Sequence, residues 1–443
     1  MQPKPTPRTP AFLGRCALAF LLSWAALFLL LLGACALPGE PVRRNLARSV
    51  PGLQQEGMYP EYFGFKLFQM DNYTDTIMLF EAASADETDP LTAAMTNTAY
   101  NIDNFSTLAD DLGTYLEARA AGTPLPADLE PFSYARYWHG YLIWLRPLLC
   151  LMPYQGVRVV QYLVLAVLLA GVLWGLRRRA GLRPMLWFAA SQLLVAVFFV
   201  PRQVQFFTCF LIAYAGCAWV LARPRTVWQL GTALVVLGAA TAFCDLLVTP
   251  ILTLGLPVAV WLVCLPQRLA ARGRQCAAVA AGSLCWGAGY GLCWSLKWVL
   301  AGLVTGQDVI GDALHQAAVR TGGNTWHGME LTWGNILRFV LDTLSSRRLL
   351  VPLLAAAVLA AAAFALCLRG KRELLGALPL GLTALMAPAW FVLLRSHSIQ
   401  HGWFTWRALG VTLFAGLAFL SYACSPRAGL RRLRRLCGGG TAP

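Results

Sequence analysis

Four groups of residues in this chain have types and spacings that could do chemistry. Asp71 and Asp75, in Gln69-Met-Asp-Asn-Tyr-Thr-Asp, lie four apart, which places two carboxylates on one face of a helix. Carboxylates accept protons and bind hard cations through oxygen, so the pair suits a general base with an orienting partner, or a divalent cation site. The plainer alternative is a solvated helix face. Arg136 and His139, in Tyr134-Ala-Arg-Tyr-Trp-His-Gly, join a guanidinium that can hold two phosphate oxygens to an imidazole that can add a hydrogen bond or a proton. The same aromatic composition also suits simple anchoring at a lipid–water boundary. Asp245 ends an apolar run and precedes Thr249-Pro250. An ionisable residue at or inside a membrane is costly and marks a functional or paired charge, and the proline predicts a broken or re-entrant turn. Lys297, inside another apolar run, is the candidate counter-ion for Asp245 unless it snorkels to the interface. The fourth group, Arg395, His397, His401 and Arg407, is the densest polar cluster between two apolar runs. His397 and His401 repeat the four-residue spacing, one also used for metals, but no His-Glu-x-x-His pattern supports a zinc protease. Arg407 opens an apolar run, where an unpaired guanidinium is costly and a lipid phosphate would satisfy it.

The elements that must position these residues are membrane helices. A chain of 443 residues with 58% apolar and 13% charged residues and a mean hydropathy of +0.56 falls far below the roughly 25% charge of soluble domains. The net charge of +15 sits in short Lys/Arg clusters between apolar runs, as in membrane loops, which excludes nucleic acid as the partner. The 13 cysteines lie mostly inside apolar runs, with none between Cys35 and Cys150, so they read as small hydrophobes.

Apolar runs predict ten spans at about 11–36, 157–176, 184–200, 204–221, 227–246, 251–265, 277–303, 349–368, 374–394 and 403–422. The clusters Arg177 to Arg183, Arg223 with Arg225, Arg268 to Arg274, Arg369 to Arg372 and Arg427 to Arg435 then share a side with the basic N-terminus, where Lys4 and Arg8 lie. By the positive-inside rule that side is the cytoplasm of a cell membrane. The outer side receives residues 38–140 with 15 of the 21 acidic residues, and all five histidines. Four regions follow: a cytoplasmic N-terminus and first helix (1–36), an acidic outer loop with interfacial helices (37–153), a multi-span domain (154–424) and a basic cytoplasmic tail (425–443). The first run exceeds a signal-peptide core and reads as an uncleaved anchor, although Leu32-Gly-Ala-Cys and Ala34-Cys-Ala resemble processing sites. Within the outer loop, 65–83 predicts an amphipathic helix on the membrane surface, and 141–152, with Arg146, a short interfacial or re-entrant helix. Asn72 and Asn104 head glycosylation sequons. The outer loop 304–347, carrying His315, Arg320, His327 and Glu330, could shape an acceptor site.

Together these pieces resemble bacterial membrane glycosyltransferases of the GT-C type, in layout including protein mannosyltransferases and lipid A aminoarabinose transferases. The likeness rests on Gln69 to Asp75, Phe243-Cys-Asp-Leu-Leu-Val-Thr-Pro250 and His397-Ser-Ile-Gln-His-Gly-Trp-Phe-Thr-Trp-Arg407. Tyr137-Trp-His-Gly-Tyr-Leu is similar to a mannosyltransferase motif but lacks its prolines, and no Asp-Glu or Asp-x-Asp pair follows the first span. The resemblance implies an all-α polytopic fold of about ten transmembrane helices with a long outer loop. It also implies transfer of a sugar from a polyprenyl-phosphate or pyrophosphate donor to a glycan, lipid or protein acceptor of the cell envelope, on the outer face. Asp71 would be the base and Asp75 its support, the two sharing a divalent cation if one is used. Arg136, His397 and Arg407, then His139, Arg395 and His401, would hold the phosphate, and Asp245 would line the groove. A flippase would place ionisable residues near the bilayer midplane and show paired repeats, which the chain lacks. A non-catalytic assembly protein would need none of these clusters.

Overall fold

The computed structural model describes residues 9–265, 272–322 and 325–437. Lys4, Arg8, Arg268 and the end of the basic tail lie outside them. Helix α1 (Thr9–Cys35) has 27 residues, enough to cross a bilayer. A packed unit follows, made of α2 (Gly39–Ala47), α3 (Val50–Glu56), α4 (Asn72–Ser84), α5 (Pro90–Thr96), β1 (Thr98–Tyr100), α6 (Leu108–Ala121), β2 (Pro131–Ser133) and α7 (Leu142–Leu151). β1 and β2 pair antiparallel, with Ala99 opposite Phe132.

The centre of this unit is α4, and local sequence sets its ends. The Asp71 side chain accepts from the backbone N–H of Thr74 and so caps the helix, satisfying a donor that the first turn leaves free. Met78, Leu79, Phe80, Ala82 and Ala83 are buried, and they join Val42 and Leu46 of α2 and Leu108, Leu112 and Tyr115 of α6 in one core. This corrects the expected surface helix over 65–83. The first part is a short 3-10 turn at Lys66–Phe68, the helix begins only at Asn72, and nearly all of its residues are buried. A helix buried on every side cannot lie on a membrane; it is the core of a folded segment between α1 and α8. Arg146 of α7 is fully buried and donates to Cys35 O at 3.2 Å and Leu37 O at 2.8 Å. It satisfies carbonyls that the C-terminal end of α1 leaves free.

The rest of the chain runs α8 (Tyr154–Arg179), α9 (Leu182–Leu194), α10 (Val204–Ala222), α11 (Val227–Cys244), α12 (Leu252–Cys264) and α13 (Arg272–Thr305). Then come α14 (Val309–Thr321), the two-residue strands β3 (Thr325–Trp326) and β4 (Met329–Glu330), α15 (Trp333–Ser346), α16 (Leu350–Cys367), α17 (Lys371–Ala384), α18 (Met386–Leu393), α19 (Arg395–Gln400), α20 (Gly402–Thr405), α21 (Leu409–Ala423) and α22 (Pro426–Cys437). Among the described residues eight helices are long and apolar enough to cross a membrane: α1, α8, α10, α11, α13, α16, α17 continued by α18, and α20 continued into α21. The chain is an all-α polytopic membrane protein. Two of the ten expected spans are shorter than that. The 184–200 run becomes the 13-residue α9, broken off where Ala196 turns left-handed at φ 54° before a 3-10 turn through Pro201. The 251–265 run becomes the 13-residue α12.

Helices α11 and α13 approach most closely where both present glycine. A Cβ on Gly238 would sit 2.1 Å from Trp286 O, and one on Gly289 would sit 2.0 Å from Val235 O, so only glycine permits this crossing. Phe12 near the start of α1 meets Trp228 near the start of α11, ring centroids 4.8 Å apart. Arg179 at the end of α8 donates to Ala222 O at the end of α10.

Candidate functional site

The two aspartates of the Asp71–Asp75 pair have different jobs in the fold. Asp75 is fully buried; it accepts from Val204 N at 3.1 Å, Gln205 N at 3.3 Å and the Tyr154 hydroxyl. It therefore caps the first turn of α10, where free N–H groups and the helix dipole favour an acceptor and a negative charge. Burial nevertheless pushes its carboxyl up to about 7, against the opposing pull of Tyr154, Arg158 and the two amides. Asp71 stands outside α4 as its cap and is 4% exposed. Its carboxylate accepts from Thr74 N at 2.9 Å and Thr74 Oγ1 at 2.8 Å. Burial raises this carboxyl above the usual carboxylate range, while Gln205 and Thr74 hydrogen bonds oppose the rise. A carboxyl held this way is a better proton acceptor than an exposed one. Asp71 N donates to Gln203 Oε1 at 2.9 Å. Gln203 Nε2 and Arg158 Nη2 both donate to Asn72 Oδ1, at 2.8 and 3.0 Å, so the first sequon lies sealed inside the structure. Among the described residues no three His, Cys, Asp or Glu side chains converge to hold a metal ion.

The phosphate candidates separate in the same way. His139 is 1% exposed, and its Nδ1 lies 2.8 Å from Glu81 Oε2 and 2.7 Å from the Tyr141 hydroxyl, with Nε2 3.1 Å from Tyr134 O. The Tyr141 hydroxyl also donates to Glu81. This imidazole belongs to a dry internal cluster and presents no nitrogen to a substrate. Arg136 is bound to Asp312 of α14 at 2.9 Å and lies 4.7 Å over the Tyr134 ring. The structure also separates Lys297 from Asp245. Lys297 is fully buried and donates to Ala94 O at 2.8 Å and Met95 O at 3.1 Å, above the Trp138 ring. It neutralises the open carbonyls at the end of α5 and is not the counter-ion of Asp245.

Asp245, His397, His401 and Arg407 do come together. Asp245 Oδ2 accepts from Val248 N at 3.0 Å, and the Cys209 thiol lies beside the Asp245 carboxyl and Thr249. The loop between them turns through Leu247 at φ 67°, and the Leu247 carbonyl meets His397 Nε2 at 2.9 Å. The His397 and His401 rings are 4.7 Å apart. Burial first, and then His401 and Arg320, push His397 down to about 3; burial and Arg320 push His401 down to about 4. Both imidazoles are neutral at pH 7, able to donate an N–H but bringing no charge. His401 stacks on Phe404, Phe404 packs on Phe206, and the Arg407 guanidinium lies 4.7 Å over the Phe206 ring.

Arg407 is the outlier. It is fully buried, and among the described residues its one hydrogen bond is a 3.5 Å contact from Nη1 to Trp403 O, with no partner for Nε and Nη2. No described carboxylate makes an ion pair with it. Arg407 rests on Phe206, the residue after Gln205, whose side chain lies beside the Asp71 carboxyl. The candidate base and the uncompensated cation thus flank the same first turn of α10. Arg395 is placed apart from them. Its Nε donates to Leu331 O at 2.9 Å, and two apolar cavities of about 310 and 610 Å³ meet at Arg395, Trp333 and Val392.

The sequence reading missed Glu81, Tyr154, Arg158, Gln203 and Gln205. Glu81 carried a signal, a lone acid inside an apolar helical run, but its partner His139 lies 58 residues on. The glutamines carried none. No family model, curated protein or solved structure matches the chain.

Proposed function

We propose that the chain is an integral membrane glycosyltransferase of the GT-C type, moving a sugar from a polyprenyl-phosphate or pyrophosphate donor to an envelope glycan, lipid or protein at the outer face. The observation that carries this reading is Arg407, buried, without an ion-pair partner among the described residues and resting on Phe206, the neighbour of the Gln205 that lies beside Asp71. A buried guanidinium without an anion is strongly unfavourable, and a donor phosphate supplies the missing charge in the bidentate geometry that arginine favours.

In this mechanism Asp71 takes the proton of an acceptor hydroxyl as its oxygen attacks the anomeric carbon. The bond from that carbon to the phosphate oxygen breaks, and the electron pair leaves with the lipid phosphate. Arg407 stabilises the charge that grows there, the kind of preorganised interaction that contributes most to rate, and neutral His397 and His401 add N–H donors. Asp75 acts through structure, holding α10 and hence Gln205 in place. The apolar cavities beside Arg395 suit an isoprenoid tail.

The test is sugar release from a panel of polyprenyl-phosphate sugars by purified protein and by Asp71→Asn. Turnover by wild type that falls at least 100-fold in the variant supports the reading. Folded, membrane-inserted wild type that turns over none of them, while moving lipid-linked sugar between leaflets, points to a flippase.

A further inference from the structure

A large cavity is lined by Phe12 and Arg15 of α1, Trp219 of α10 and Trp228 of α11, and by no residue of the Asp71 region. It holds about 1270 Å³, more than the roughly 300–1,000 Å³ of a usual small-molecule site, and opens between α1, α10 and α11. Its walls are apolar, with Phe12, Trp219, Val236 and Leu237 among them, and Arg15 is its one charged lining residue.

Arg225 adjoins the lining residue Thr226, and its Nε and Nη2 donate to the carbonyl of the lining residue Trp219 at 3.0 and 2.7 Å. Arg225 lies 3.6 Å over the Trp219 ring, and Arg179 reaches Ala222 O one residue before the exposed Arg223. Among the described residues none of Arg15, Arg179, Arg223 and Arg225 makes an ion pair. Burial, then Arg223 and Arg179, hold Arg225 below its ordinary value, as expected of cations clustered without an anion. A long apolar cleft topped by unpaired positive charge has the two-part chemistry of an anionic lipid.

We propose that this cleft binds an anionic glycerophospholipid of the adjoining leaflet, its acyl chain lying along Val236 and Leu237 between α1 and α11 and its phosphate at Arg15 and Arg225. The site is independent of the Asp71 region and does not rest on the transferase reading. The lipid would fill a gap between α1 and the rest of the bundle that protein side chains leave open, and so would hold the first helix in place.

The experiment is native mass spectrometry of the full chain released from phosphatidylcholine nanodiscs, titrated with phosphatidylglycerol and, separately, with more phosphatidylcholine. Wild type is expected to retain phosphatidylglycerol at least tenfold better. Arg15→Gln should cut that preference about fivefold, the share of one arginine near an anionic headgroup. Ala233→Phe, which fills the cleft from α11, should remove retention of both lipids while the variant keeps its wild-type helical circular dichroism. Equal retention of the two lipids, or an Arg15→Gln variant with unchanged preference, overturns the proposal. A dimer without bound lipid assigns the cleft to a second copy, and displacement of phosphatidylglycerol by equimolar undecaprenyl phosphate assigns it to a carrier lipid; either also overturns it.

Discussion

The carboxylate of Asp75 and the backbone N–H of Val204 meet at 3.1 Å, with the N–H of Gln205 beside them at 3.3 Å. An acid of the segment after α1 is therefore the cap of a membrane helix. Its neighbour Asp71 caps α4 instead, a role that asparagine can also fill, so the two should respond differently to substitution. Asp75→Ala is expected to lower stability by about 2 kcal/mol, the upper worth of a helix cap, seen as a lower Tm in detergent. Asp71→Asn keeps an acceptor for Thr74 N and should melt near wild type while losing turnover. A variant at Asp75 that melts like wild type would refute the capping role.

Replacing Arg407 should separate stability from binding. With no protein anion beside it, Arg407→Met removes a buried unpaired charge and is expected to raise the stability of the ligand-free protein by about 1–3 kcal/mol. The same change should weaken binding of a polyprenyl-phosphate sugar at least tenfold, measured by microscale thermophoresis. Lower ligand-free stability in Arg407→Met would mean that the guanidinium has a partner in the fold after all.

The histidine pair predicts an acid-side loss of stability. His397 and His401 have folded values near 3 and 4, depressed from 6.5. Between these values and 6.5 the unfolded chain binds protons that the folded chain does not. The stabilisation is thus full above pH 6.5 and falls as pH drops toward 4, by about 2 kcal/mol per histidine at pH 5. Melting curves at pH 7.5 and 5 should show a larger drop for wild type than for His397→Gln/His401→Gln. Parallel drops would refute the assignment.

What the sequence could and could not reveal follows from how far each interaction reaches. Membrane helices are written in consecutive residues, so the long apolar runs of α1, α8, α10, α11 and α13 were readable directly. The 184–200 run was not, because a left-handed Ala196 breaks it and no residue type announces that turn. Asp71 was marked by its spacing from Asp75, and Arg407 stood out as a charge opening an apolar run. The division of labour between Asp71 and Asp75 did not, since it depends on amides 129 and 130 residues away from Asp75. Lys297 was visible as a buried cation, but its partners Ala94 and Met95 are backbone carbonyls, which every residue has and no pattern marks.

The buried pair of Glu81 and His139 gives a fourth test. Both side chains are fully buried, and leaving one buried hydrogen-bonding group without its partner costs about 1–3 kcal/mol. Glu81→Gln should therefore destabilise the segment after α1, making it sensitive to limited proteolysis, and Glu81→Gln with His139→Gln should recover part of the loss. Additive losses in the double variant would show that the two residues do not act as a pair.

The segment after α1 is completed from a distance, and this fixes an order of events during synthesis. Asp75 waits for the amides of Val204 and Gln205, and the carbonyls of Ala94 and Met95 wait for Lys297, 203 and 202 residues downstream. Residues 39–121 emerge from the ribosome long before α10 and α13 exist. During that interval the helices of this segment can collapse on their apolar core, but its buried acid and its open helix end stay unmatched. Maturation is therefore gated by insertion of α13, and a chain truncated before it should be held by membrane quality control although this segment is present in full.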